Sequence, residues 1–303
     1  MAKEFYSNGK LLLTAEYAIL DGAKGLALPT KFGQYLKGRN ENSEIISWTS
    51  IDEENKPWFN ATFSKDGLKT LHTTDSDISK RLVQILSEAK RLNPSFLSKP
   101  TDFTIIEAKL TFPRNWGLGS SSTLIANIAE WAQVDPYKLL ASTFGGSGYD
   151  IACAKHDNPI VYQKKKLAPI VKDVHFKPTF SDRLFFIYLN QKKNSRDAIN
   201  AYRNLKVDKT DLISKINKIT EGIIQITDLN EFEQLLNDHE NLISKILQTP
   251  TIKEVLFSDY KGSIKSLGAW GGDFILATGK KTEMEYFTKK GFTTVLPYTE
   301  MIL

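Results

Sequence analysis

Residues 113–129 read PRNWGLGSSSTLIANIA, and the fold turns on these seventeen positions. Gly117 and Gly119 flank Leu118 and run directly into Ser120, Ser121 and Ser122. Leu124, Ile125, Ile128, Ala129 and Ala132 then recur at three- and four-residue spacing, which predicts a helix. Just upstream, Ile106, Ala108, Leu110 and Phe112 alternate as one face of a strand over residues 103–112. A strand that feeds a glycine turn opening a helix leaves unpaired N–H groups and the positive end of the helix dipole on one spot. That is a ready anion site. Glycine lets a phosphate approach the backbone, and serine hydroxyls donate to it or hold its metal. The same letters also suit a serine N-cap after a tight turn, and the stretch alone leaves both readings open.

Two familiar phosphate motifs are excluded. A Walker loop requires G-x-x-x-x-G-K-[ST], and no lysine follows a glycine in that register. The dinucleotide fingerprint requires a third glycine at position 122, where this chain has Ser122.

The wider chain narrows the class. Its 303 residues suit two joined domains, and 41% hydrophobic with 25% charged residues is a globular composition. The longest apolar runs, such as residues 184–189, are too short to span a bilayer. MAKEFYSNGK at the N-terminus has no apolar signal core, and the single Cys153 fits a reducing compartment, so a cytoplasmic location is expected. The net charge of +5 is spread among interleaved signs without an aromatic-basic patch. That speaks against nucleic acid and for small anionic ligands. His72, His156, His175 and His239 show no metal-ligand spacing.

Taken in order, residues 11–13 read as a strand, with Lys10 beside Gly9 at its mouth and Glu16 among apolar neighbours beyond it. Strands follow at 43–50 and 58–64. A helix starts from Asp75 on the stripe Ile78, Leu82, Ile85, Leu86 and Ala89, and stops before Pro94. Asp135 and Pro136 open another as N-cap and first-turn proline. Next comes Gly145-Gly146-Ser147-Gly148-Tyr149-Asp150-Ile151-Ala152, three glycines leading to a carboxylate. Asp150 reads either as the cap of the helix that follows or as a catalytic carboxylate at the end of a close backbone approach. The character changes near residue 175, which places domains at 1–175 and 176–303. The second carries strands at 184–189, 274–278 and 292–296, helices at 210–225, 231–247 and 282–289, and a glycine cluster at 268–273. That pattern predicts an α+β sandwich with helices on one face of an antiparallel sheet.

With three glycine-rich motifs in order, the chain resembles the GHMP small-molecule kinases. The family's first motif is similar to Gly9-Lys10-Leu11-Leu12-Leu13-Thr14-Ala15-Glu16-Tyr17. Its second, P-x-x-x-G-L-G-S-S, is matched by Pro113, Gly117, Leu118, Gly119, Ser120 and Ser121. Its third is similar to Gly268-Ala269-Trp270-Gly271-Gly272-Asp273. The Gly-Tyr149-Asp150-Ile151-Ala152 string resembles a subgroup placed with the mevalonate-pathway kinases. The resemblance implies a two-domain α+β fold, an N-terminal domain like domain 2 of ribosomal protein S5 and a C-terminal ferredoxin-like sandwich. It implies transfer of the γ-phosphoryl group of Mg-ATP to mevalonate or phosphomevalonate, by a monomer or homodimer. Residues 117–121, with Pro113 and Ser122, would wrap the ATP phosphates, and Ser121 would contact Mg²⁺. Asp150 would accept or orient the hydroxyl proton, and Lys10 would keep it ionised. Glu16, Ser147, Gly148, Arg196, Gly271 and Gly272 would face the substrate, and Arg114, Lys192, Lys193 and Arg196 could hold a second phosphate. Ala15 replaces the usual glycine of the first motif and Trp270 a glycine of the third. Leu139-Leu140 stands where some relatives carry a metal-binding Glu, and Glu130 is distant in sequence. Alternatives are a GHMP fold that binds nucleotide without turnover, and a kinase for homoserine or a sugar.

Overall fold

The computed structural model describes residues 2–191, 199–200, 202–268, 270 and 272–303. Its contacts divide the chain into two compact units. The N-terminal unit comprises Met1–Gly9, Phe32–Arg114 and Leu118–Lys155; the C-terminal unit comprises Lys10–Lys31, Asn115–Gly117 and His156–Leu303. The sequence predicts one boundary near residue 175, whereas the chain passes between these units several times. Long-range pairing is the reason. Residues 10–31 find many of their partners in the second half of the chain, as where the Thr14 hydroxyl meets that of Thr220 at 2.8 Å.

In the N-terminal unit, β1 (Lys3–Leu12) contributes its first residues and β2 (Lys24–Arg39) its last. With β3 (Ile45–Ile51), β4 (Pro57–Ser64), β5 (Thr70–Thr73) and β6 (Ile105–Leu110), the hydrogen-bonded order is β5-β4-β3-β6-β2. β6 runs parallel to β3 and antiparallel to β2. Alternate residues of these strands, among them Leu36, Trp48, Phe59, Ile106 and Ala108, pack against α1 (Ser76–Leu92), α2 (Ser120–Ala132), α3 (Pro136–Thr143) and α4 (Tyr149–Ala154). α1 begins as its sequence predicts: the Asp75 carboxylate accepts the N–H groups of Asp77 and Ile78, and Leu82, Ile85, Leu86 and Ala89 are buried. Asp135 caps α3 in the same way, with Pro136 in the first turn.

In the C-terminal unit the start of β2 pairs with β7 (Ile160–Gln163), which pairs with β8 (Ile170–Asp173). A separate antiparallel sheet holds β9 (Leu184–Tyr188), β10 (Ile264–Leu267), β11 (Phe274–Thr278) and β12 (Val295–Pro297) in the order β10-β11-β9-β12. α5 (Thr210–Gln225), α6 (Leu229–Leu247) and α7 (Ile252–Leu256) lie between β9 and β10 in the chain, and α8 (Glu285–Lys289) between β11 and β12. α9 (Tyr298–Met301) follows β12. First and third strands central, with helical crossovers, is the ferredoxin-like arrangement. The helix at 210–225 and the strand at 274–278 stand where periodicity puts them; β2, β5, β8, β10, α7 and α9 are not legible in the sequence. Among the described residues no helix is long and apolar enough to cross a membrane.

Candidate active site

The glycine turn ends at Gly119, whose φ of 92° lies in the left-handed region, and Gly119 rather than a serine is the N-cap of α2. No side chain caps the helix, so its first N–H groups are left for another acceptor. The serine-cap reading therefore falls, and the three hydroxyls divide. Ser121 is exposed, whereas Ser122 is buried and its Oγ donates to the Gly119 carbonyl at 2.8 Å. Ser122 thus holds the turn from inside.

A polar network lies beneath. Thr123 Oγ1 donates to Gln34 Oε1 at 2.7 Å, Asn127 Nδ2 donates to the Gln34 carbonyl at 2.8 Å, and Ser7 Oγ donates to Asn127 Oδ1 at 2.7 Å. Sequence reasoning missed Gln34, Asn127 and Ser7. The available signal was a lone asparagine on the apolar face of α2.

α4 packs on α2 in the same unit. Its N-cap is Gly148, with Asp150 in the first turn, where Oδ1 accepts the Ile151 N–H at 3.0 Å. Asp150 is thus not the cap, and its half-buried carboxylate sits at the positive end of a short helix. Tyr137, another residue missed from sequence, lies near it. Burial first, then the carboxylates of Asp135 and Asp150, push its phenol up to about 12, so it remains a neutral hydroxyl. Ser147 is half-buried just upstream. Leu139 and Leu140 are core residues, and Glu130 pairs with Lys155 on the surface. Among the described residues no group of three or more His, Cys, Asp or Glu side chains is arranged to hold a metal. At the start of the motif, the Arg114 guanidinium lies over the Trp58 indole, 3.6 Å from its centroid.

In the C-terminal unit, Lys10 Nζ donates to the Gly117 carbonyl at 3.0 Å. Gly117 faces Asp273: a Cβ at position 117 would lie 2.4 Å from the Asp273 carboxyl carbon, so only glycine fits. Tyr188 donates its hydroxyl to the Asn115 carbonyl at 3.2 Å, and Trp116 packs edge-on against Phe274. The backbone here is bent hard. Ala15, Tyr17 and Asp273 hold φ of 72°, 60° and 55°. Ala15 holds a conformation that favours glycine, the residue the family resemblance implies at this position, and it does so under strain. The Trp270 N–H donates to the Tyr17 hydroxyl at 2.9 Å, which ties the first motif to the third. Glu16 does not face an open site: it is 1% exposed and its carboxylate is 2.5 Å from buried Lys265. Gly272 is buried. Lys192, Lys193, Arg196 and Gly271 lie outside the described residues.

Compared as a sequence, the chain matches no protein-family model and no curated protein. Compared as a structure, it matches many solved chains. Mevalonate kinase from Methanococcus jannaschii aligns with a TM-score of 0.70 at 15% identity, covering 96% of this chain and 94% of that one. Phosphomevalonate kinase from Streptococcus pneumoniae, solved with phosphomevalonate and AMPPNP, aligns at 0.66 and 14%, covering 97% and 99%.

This chain has the GHMP kinase fold.

Galactokinase from Lactococcus lactis, solved with galactose, aligns at a TM-score of 0.67 and 14% identity over 95% of this chain and 88% of that one. The GHMP fold thus serves a sugar as well as a branched hydroxy acid, and at these identities it leaves the acceptor open. The expected two-domain α+β class is met, and the ferredoxin-like order of the second sheet is part of it. The three motifs are divided between the two units. Leu118–Ser122 and Asp150 belong to the N-terminal unit, and Lys10, Gly117 and the cluster ending at Asp273 to the C-terminal unit.

Proposed function

We propose that the chain is an ATP-dependent phosphotransferase acting on a small alcohol, with mevalonate or phosphomevalonate as the acceptor. The observation that carries this reading is the uncapped start of α2 beside α4, with Asp150 in the first turn of α4. The N–H groups of residues 118–122 bind the phosphates, and the braced turn keeps them aimed. Magnesium, when bound, neutralises the phosphate charge. It takes few protein ligands and retains waters, so the exposed Ser121 hydroxyl suits it and a three-carboxylate cage is not required. Asp150 orients the acceptor hydroxyl and receives its proton as oxygen bonds to the γ-phosphorus and the bridging bond to ADP breaks. Lys10 is the second catalytic group, on the family resemblance. On the family resemblance Ser147, Gly148 and Gly272 are acceptor-binding candidates, whereas Glu16 is withdrawn from that role by burial.

The test is Mg²⁺-dependent ADP release from ATP with mevalonate, phosphomevalonate, homoserine and galactose supplied separately. Release with either of the first two supports the reading; release only with homoserine or galactose moves the acceptor. ATP binding without release from any of them would leave a nucleotide-binding protein without turnover.

A further inference from the structure

The proposed phosphoryl transfer leaves one group of ionisable side chains unused. Lys265 on β10 is wholly buried in the C-terminal unit. Its Nζ lies 2.5 Å from Glu16 Oε1, 3.0 Å from Glu240 Oε1 on α6 and 2.6 Å from the Ser266 carbonyl. Ser266 Oγ in turn donates to Glu240 Oε2 at 2.9 Å. His239, also wholly buried, accepts the Ala15 N–H on Nε2 at 2.8 Å, and so carries its proton on Nδ1. Burial, then the Lys265 charge, hold His239 well below its usual range, so it is a neutral acceptor and makes no ion pair with Glu16, 3.3 Å away.

Burying this many ionisable groups is a poor way to gain stability, since apolar side chains of similar volume commonly do as well or better. The cluster does something else: its partners are the backbone and side chains of one strained turn. Ala15 and Tyr17, on either side of Glu16, are non-glycine residues at φ of 72° and 60°. Such conformations persist only where the surroundings over-determine them. Here His239 holds Ala15, Lys265 holds Glu16, and Tyr17 accepts the Trp270 N–H. Lys265 itself stands three residues before Gly268, where the third glycine cluster begins.

We infer that Lys265 is a positioning residue: gripped by Glu16 and Glu240, it locks the turn at residues 15–17 to the strand end that leads to Gly268 and Trp270, and so sets the backbone of the acceptor end. That last clause rests on the proposed kinase function; the clamp itself does not.

The experiment uses the full chain and four forms: wild type, Glu16→Gln, Lys265→Met, and the apolar triple Lys265→Met, Glu16→Leu, Glu240→Leu. Hydrogen exchange judges the clamp. Glu16→Gln and Lys265→Met should speed exchange about tenfold or more in segments 13–20 and 264–275, leaving α5 and β9 unchanged. No change, or a uniform rise, overturns the clamp. Kinetics judge its purpose, with mevalonate and phosphomevalonate as acceptors: Glu16→Gln should raise the acceptor KM about tenfold and leave the KM for ATP within about twofold. The triple should regain thermal stability while its acceptor KM stays raised; recovery of both together would reduce the cluster to a stability role and overturn the inference. If the triple does not fold, Glu16→Gln decides. Wild type that turns over neither acceptor removes mevalonate and phosphomevalonate from the proposed function, and hydrogen exchange still judges the clamp.

Discussion

Ser122 donates its hydroxyl to the carbonyl of Gly119, 2.8 Å away, so the last serine of the run is turned inward while Ser121 faces solvent. Adjacent serines of the same chemistry therefore have separable roles. Ser122→Ala should lower stability by about 1 kcal/mol, the ordinary net value of a buried hydrogen bond, and weaken nucleotide binding through a looser turn. Ser121→Ala should leave the melting temperature unchanged and raise the magnesium concentration needed for half-maximal activity. Thermal melts and a magnesium titration check the pair, and equal effects in both would contradict the division.

Asp150→Asn keeps the side chain's shape but removes its capacity to take a proton. Turnover should fall by a factor on the order of 10² to 10⁴, the usual range for a general base, with ATP affinity nearly intact. Coupled ADP release and direct ATP titration measure the two effects separately; an active variant would remove Asp150 from the chemistry.

Gly117→Ala meets two obstacles, a φ of 70° and a Cβ that would sit 2.4 Å from the Asp273 carboxyl carbon. We expect a loss of about 1–3 kcal/mol in urea unfolding. Asp273→Gly in the same chain should return the steric part, so the double-mutant cycle should show a coupling above about 0.5 kcal/mol. Additive losses would mean that the two residues do not touch.

The buried Glu16 carboxyl predicts an unusual pH response. Burial raises it from 4.5 to about 7 against the pull of Lys265, because one ammonium faces two carboxyl groups. Burial alone would lower Lys265, but Glu16 and Glu240 outweigh it and hold the lysine above its usual range, so it stays charged. Glu16 Oε2 has no hydrogen-bond partner, so a proton there costs no existing bond. A raised carboxyl binds more protons folded than unfolded, so its contribution is full below pH 4.5 and is lost as pH rises to about 7. His239, lowered from 6.5, works the other way: its contribution is present above pH 6.5 and lost as pH falls. Over their shared window the two slopes oppose. Glu16→Gln removes one of them, so the variant's stability should climb with pH by up to about 1.4 kcal/mol per unit between about pH 5 and 6.5, relative to wild type. Denaturant midpoints across that range are the measurement, and parallel curves would refute the assignment.

Asn127→Leu would leave the Ser7 hydroxyl and the Gln34 carbonyl without their partner beneath the glycine turn. A loss of about 2 kcal/mol is expected, from the cost of buried polar groups left unpaired. Asn127→Asp keeps the acceptor for Ser7 but not the donor to Gln34. Unfolding measurements on both variants apportion the network.

Sequence by itself determined what depends on neighbours along the chain. The stripe of α1, the Asp75 and Asp135 caps, the glycine turn into α2 and the three motifs in order were all legible, because helix periodicity and capping act within a few residues. Together they were enough to name the fold class. Tertiary structure alone decided which groups are inside. β2 runs sixteen residues but shows no strand period in sequence, because its two ends pair with different strands and its burial does not alternate cleanly. Asp150 reads in sequence as either a cap or a catalytic carboxylate, and only Gly148 in the capping position removes the first reading. Lys265 is the plainest case. A lysine in a four-residue strand reads as exposed, and only Glu16, 249 residues away, and Glu240 from α6 make its burial possible. Electrostatic partnership across such distances leaves no period in the sequence, so the fold had to form before that charge could find its place.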